Sequence, residues 1–130
     1  MDLKSISALA LVSMLIFSGH VTAAAGPIEH LDTYRQHGVE QTDAVRGRQL
    51  WYAAAGERSC TSCHGARPEV TGRHAKTGKA IEPMALSVNP GRYQSAKKIE
   101  KWFLRNCKWT YGRECSSQEK ADILTWLADQ

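Results

Sequence analysis

Cys60-Thr61-Ser62-Cys63-His64 places two thiols three residues apart, with a histidine directly after the second. Thiols at that spacing reach the two vinyl groups on one edge of a porphyrin as thioethers, and the adjacent histidine then lies under the iron as its proximal ligand. Two other chemistries use a C-x-x-C. A thioredoxin-like pair has no need of His64, and no strand–helix–strand pattern surrounds this one. A zinc half-site needs a second close pair, and the remaining cysteines, Cys107 and Cys115, are eight residues apart. The motif therefore reads as the attachment point of one covalent haem c, with Cys60 and Cys63 as thioethers and His64 on the iron.

An export signal upstream agrees with that chemistry. Lys4 precedes an almost wholly apolar run from Ile6 to Phe17, and Val21-Thr22-Ala23 and Ala23-Ala24-Ala25 offer small-residue cleavage sites. The run is about a dozen residues, short of the ~20 a membrane-spanning helix needs. The expectation is a signal peptide over residues 1–24, cut within 23–25. It leaves one domain over 25–130 in the periplasm, without membrane association once the signal is removed. An uncleaved anchor is the alternative. Export also implies an oxidising compartment in which disulfides persist.

The whole chain is 130 residues, one domain's length, with 42% hydrophobic and 23% charged residues, which argues against disorder. Its 17 Lys+Arg against 13 Asp+Glu give a net charge of +4. The cations are interleaved with acids along the chain, so a nucleic-acid partner is not expected. No Ser/His/Asp triad, phosphate-binding loop or paired-carboxylate signature stands out.

The apolar spacing predicts an all-α domain. Residues 25–41 read as a loose leader or short helix. Thr42 or Asp43 caps a helix running to about Ala55, with Gly47 and Trp51 one turn apart and Gly47 suited to a close helix approach. Cys60 to Tyr93 is rich in Gly, Pro and Thr and carries no periodic run. Ser95 opens a helix from Ala96 to about Asn106. Ser116-x-x-Glu119 is a capping box for the last helix, whose Leu124/Leu127/Ala128 spacing suits a core. No strand shows sustained alternation.

Cys107 and Cys115 would lie about 12 Å apart in one continuous helix, at ~1.5 Å rise per residue. A disulfide needs Cα atoms within roughly 7 Å. If they bond, the chain reverses between them, and Gly112 can supply the turn; two free thiols are the other possibility.

The sixth iron position has several candidates: Met84, Asn106, His30, His37, His74 and lysines. Met84 sits in the apolar segment Ile81-Glu82-Pro83-Met84-Ala85-Leu86, where a Met also serves as plain packing, and His74 lies in a polar loop. Asn106 continues the stripe of Ile99, Trp102 and Phe103. An amide on a core-facing stripe costs several kcal/mol unless something satisfies it. A haem iron, or a ligand on that iron, would do so; an Asn at a helix end bonding to nearby backbone would as well.

Several stretches together closely resemble the sphaeroides haem protein family of small high-spin class I cytochromes c. They are Arg46-Gly47-Arg48, Ser59 through Ala66, Lys76 through Pro83, Lys98-Ile99-Glu100-Lys101-Trp102, Arg105-Asn106-Cys107, Gly112-Arg113-Glu114-Cys115 and Glu119 through Leu127. The resemblance covers nearly all of residues 25–130. It implies a small class I cytochrome c fold of five or fewer helices around one covalent haem, with His64 proximal. It implies that Asn106 binds the ferric iron and leaves on reduction, that Cys107 and Cys115 form a disulfide beside it, and that the ferrous site takes up O2 or NO. A diheme cytochrome c is the implied electron donor. The related cytochrome c-double-prime group carries His at the position of Asn106. Two departures stand out: Met84-Ala85-Leu86 where members often have Leu-Ala-Pro, and the aromatic Lys108-Trp109-Thr110-Tyr111 between the two cysteines.

The functional expectation is an electron-transfer cytochrome whose axial Asn106 is redox-gated, so that the ferrous haem binds O2, NO or CO. An oxygen-reducing or nitric-oxide-oxidising enzyme at the same site needs no extra residue and is the first alternative. A plain His64/Met84 shuttle is the second.

Overall fold

A computed structural model describes residues 27–130. The export signal expected over residues 1–24 lies outside them. Five helices and one small hairpin are described: α1 (Pro27–Gln36), α2 (Ala44–Tyr52), α3 (Thr61–His64), β1 (Gly72–Arg73), β2 (Ala80–Ile81), α4 (Ala96–Tyr111) and α5 (Ser117–Ala128). Among the described residues no helix is long and apolar enough to cross a membrane.

The helix starts follow the capping residues. The Asp43 carboxylate accepts from the backbone N–H of Val45 at 2.7 Å and Arg46 at 3.2 Å. Ser95 accepts from Lys98 N–H at 3.4 Å. At α5 the box is complete: Ser116 Oγ accepts from Glu119 N–H at 3.2 Å, and Glu119 Oε2 accepts from Ser116 N–H at 2.9 Å.

The ends differ more from expectation. α2 stops at Tyr52, because Ala53 is extended and the chain turns back through Gly56 (φ 64°), closed by Ala55 N–H to Arg58 O at 2.8 Å. α4 does not stop near Asn106. It continues to Tyr111 and ends on Gly112 at φ 69°, the first residue after Ser95 that takes a left-handed cap without strain. Within the loop-rich stretch the two-residue strands β1 and β2 pair antiparallel, Gly72 with Ile81 and Arg73 with Ala80. Strands that short leave no alternation to read.

α5 is the centre of the core. Ala121, Ile123, Leu124, Trp126 and Leu127 are buried, and Leu31 and Tyr34 from α1, Trp51 from α2, Tyr93 and Ile99 pack with them. Each such side chain contributes about 1.5–3 kcal/mol of burial. α2 crosses α5 so closely that a Cβ on Gly47 would lie 2.0 Å from the Asp122 carbonyl oxygen and 2.9 Å from Trp126 Cβ. The same crossing buries the Asp122 carboxylate, which accepts from Asp43 N–H at 2.7 Å, Arg46 Nε at 2.9 Å and Gln118 Nε2 at 2.8 Å. Three donors, one of them charged, offset its desolvation.

α4 is placed differently. No other element approaches its backbone as α5 approaches α2. Its packed sector is Ile99, Phe103, Cys107 and Thr110. Trp102 and Asn106 lie on the adjoining sector and are exposed, so the stripe that continues to Asn106 does not pack into the protein core as expected. At about 100° per residue, the two sectors share Ile99 and Phe103 and their centres differ by about 45°.

Candidate haem site

Cys60, Cys63 and His64 occupy a single helical turn. His64 N–H donates to Cys60 O at 3.0 Å and Cys63 N–H to the same oxygen at 3.3 Å, and Gly65 at φ 75° ends α3 at once. The residues between the cysteines hold that turn. Ser59 N–H donates to Ser62 Oγ at 3.0 Å, and the Ser59 and Thr61 hydroxyls are 2.6 Å apart. β1 lies flat against the motif, where a Cβ on Gly72 would come within 2.4 Å of Cys63 O and 2.8 Å of His64 Cα. Ala75 N–H points at Cys63 Sγ at 3.3 Å.

The two thiols are not bonded to each other. Burial pushes the Cys60 thiol up to about 11, with the Tyr111 hydroxyl only partly offsetting it. A redox-active C-x-x-C works in the opposite direction, through a thiol held below its ordinary value. Burial also pushes His64 down to about 4, with the Arg92 guanidinium adding to the effect, so the imidazole is neutral at neutral pH. Its Nδ1 is buried with no hydrogen-bond partner. Its ring lies 5.2 Å from that of Trp51, which in turn lies 5.3 Å from Trp126. A neutral imidazole with an orphaned nitrogen, held against a buried indole and next to two free thiols on one helical turn, suits a covalent haem with a histidine ligand.

The three other candidate histidines have hydrogen-bond partners of their own. His30 Nε2 lies 2.8 Å from Tyr93 O, and His37 Nδ1 lies 2.7 Å from Thr33 O. His74 Nδ1 accepts from Lys76 and Thr77 N–H at 3.3 and 3.2 Å, closing the turn before β2. Met84 is half-buried against the core cluster. Asn106 is exposed, one turn from Trp102 and followed by Trp109 on the same sector. The reading of Asn106 as a helix-end residue does not hold, because α4 runs five residues beyond it.

Beside Asn106, Cys107 is joined to Cys115 across the Gly112 turn, with Cα atoms 5.6 Å apart. Two contacts fasten that end of α4 and were not anticipated from the sequence. Tyr111 donates its hydroxyl to Leu50 O at 2.7 Å, and Arg58 donates to Trp109 O at 3.1 Å with its guanidinium 5.1 Å from the Trp109 ring centre. The aromatic insert between the cysteines thus belongs to the helix and ties it to α2 and the turn before α3, rather than forming a loop.

Comparisons with known proteins point to the same site. The family described as "Domain of unknown function (DUF1924)" matches residues 37–127. Cytochrome c-type protein SHP of Cereibacter sphaeroides is 37% identical over 126 residues, which cover 92% of this chain and 97% of that protein. Cytochrome c'' of Methylophilus methylotrophus is 38% identical over 71 residues, 55% of this chain and 49% of that protein. Among solved structures, oxidised SHP, described as an oxygen-binding cytochrome c, matches with a TM-score of 0.76 at 39% identity, over 83% of this chain and all of that one. Oxidised cytochrome c'' matches with a TM-score of 0.69 at 25% identity, over 80% and 94%. Helices and loops around a C-x-x-C-H turn, a class I cytochrome c arrangement, together with 37% identity to SHP over nearly its whole length, establish that this chain belongs to the sphaeroides haem protein family of c-type cytochromes.

Proposed function

We propose that the protein is an exported monohaem cytochrome that carries electrons and takes up a diatomic gas where Asn106 gives way. The observation that carries this reading is the placement of Asn106. Among the described residues it sits within α4, directly before the bridged Cys107, on a sector that is not packed into the protein core. The description of the similar SHP structure as an oxygen-binding cytochrome c supports gas uptake.

When attached through Cys60 and Cys63, the haem supplies an iron that exchanges one electron and offers an axial position to O2, NO or CO. His64 is the neutral nitrogen donor on the buried side. Asn106 would supply a second ligand to that iron in the ferric protein. A carboxamide oxygen is a hard, neutral, weak donor, which suits the more highly charged ferric state. On reduction the Asn106 side chain would withdraw, and its amide hydrogens would be donors for a diatomic ligand. The disulfide from Cys107 to Cys115 and the Tyr111 contact with Leu50 hold the neighbouring backbone, so only the side chain need move. The electron donor is a diheme cytochrome c, as the family resemblance implies.

Replacing Asn106 by Val tests this. The ferric visible spectrum of the holoprotein is expected to change to that of five-coordinate or water-bound iron. An unchanged ferric spectrum would remove Asn106 from the site.

A further inference from the structure

α4 carries five cations, Lys97, Lys98, Lys101, Arg105 and Lys108, and one carboxylate, Glu100. Its net charge therefore equals the +4 of the entire chain, and everything else balances to zero. Along the sequence these cations look dispersed. Around the helix they fall within about a third of a turn, at about 100° per residue, opposite the packed sector of Ile99, Phe103, Cys107 and Thr110. All five are exposed. Among the described residues only Lys108 has an acidic partner, Glu114 at 3.2 Å. Glu100 does not neutralise the outer face, because its carboxylate is taken by Tyr34 and by Lys120 at 2.7 Å.

The margin of this face nearest Asn106 is Trp102, which is 52% exposed and has the Arg105 guanidinium 5.2 Å from its ring centre. We propose that the outer face of α4 is the docking surface for an electron-transfer protein with an acidic face. The inference deepens the redox reading above and rests on it. Concentrating the whole net charge on one helix orients the molecule during approach, which raises encounter rates far more than the same charge spread evenly. An anionic membrane is the less suitable occupant. An interfacial helix lays a continuous apolar face into the lipid, whereas the outer face of α4 is a run of cations with exposed apolar residues only at its margins, Leu104 on one side and Trp102 and Trp109 on the other.

Two charge-swapped variants separate location from net charge. Lys97→Glu with Lys101→Glu alters the α4 face. Lys76→Glu with Lys79→Glu makes the same change in net charge on the exposed turn beside Cys63. The probe is an acidic flavodoxin, photoreduced, with the second-order rate of haem reduction in the holoprotein followed against ionic strength. The α4 variant is expected to slow reduction at low salt by about tenfold or more and to flatten the salt dependence, and the turn variant by less than about threefold. Equal effects from both variants, or none from either, would overturn the proposal. So would an α4 swap that abolishes co-sedimentation with phosphatidylglycerol vesicles while leaving the flavodoxin rate unchanged. Dithionite needs no docking face. A variant that dithionite reduces but flavodoxin does not has lost docking, whereas wild-type protein that dithionite leaves unreduced fails the redox reading itself.

Discussion

The α2–α5 crossing and α4 are held by different means. At the crossing the backbones touch through Gly47, Asp122 is sealed by three donors, and Trp51 leans on both Trp126 and His64. α4 is fastened by side chains: Glu100 to Tyr34 and Lys120, Tyr111 to Leu50, Arg58 to Trp109, and the disulfide. One region is a close-packed platform that fixes the C-x-x-C-H turn in place. The other is a wall pinned along its edge and at its end, with Asn106 and Trp102 on a sector that is not packed into the protein core. Close packing passes any displacement on to its neighbours, whereas side-chain fastenings leave room for a single residue to move.

Breaking the platform has the largest effect. A Cβ at Gly47 meets backbone, not a flexible side chain, so Gly47→Ala must push α2 and α5 apart. Chemical denaturation of the holoprotein is expected to show a loss of about 3 kcal/mol. A loss below about 1 kcal/mol would mean that the crossing is looser than described. Removing the pin on the wall comes next. Cys107→Ser together with Cys115→Ser opens a short ring and is expected to cost about 2.5 kcal/mol by chain entropy. If this double variant is as stable as wild type, the disulfide does not hold α4.

A smaller effect is expected at the start of α5, where the two regions meet. The Arg113 guanidinium holds the Glu119 carboxyl below the usual carboxylate range. A depressed carboxyl contributes stability that is present above its unfolded value of about 4.3 and is lost as pH falls through its folded value. Glu119→Gln is expected to cost about 0.5–1 kcal/mol at neutral pH and to flatten the decline in stability below pH about 4. An unchanged acid limb would show that this pair contributes nothing. Asn106→Val, on an exposed sector, is expected to shift stability by less than about 0.5 kcal/mol, even though it alters the iron's surroundings.

The same contrast explains what could be read from the sequence. The haem turn is local chemistry, with its residues contiguous, so the spacing alone pointed to the cofactor. Gly47 and Trp51, one turn apart, signalled a helix approach, and the Ser116/Glu119 box marked the start of α5. α4 was harder. Its end was placed near Asn106, although nothing between Lys108 and Tyr111 breaks a helix and Gly112 is the first residue that can. Its packed sector is centred about 45° from the stripe through Trp102 and Asn106, because Cys107 and Thr110 pack against the protein and Trp102 does not. Along the chain acids intervene between the cations, and only around the helix do those of α4 converge. Asp122 gives no signal, because two of its donor residues, Asp43 and Arg46, lie more than 75 residues away and reach it only when α2 crosses α5.

The central claim is that Asn106 leaves on reduction and opens the haem to a gas. Its most direct test is the visible spectrum of the holoprotein, ferric and then ferrous without oxygen, followed by CO added to the ferrous form. The account predicts a high-spin ferrous spectrum that shifts promptly with CO. A sharp low-spin ferrous spectrum indifferent to CO would contradict it, and would point to a strong ligand such as Met84 or His74 that stays bound.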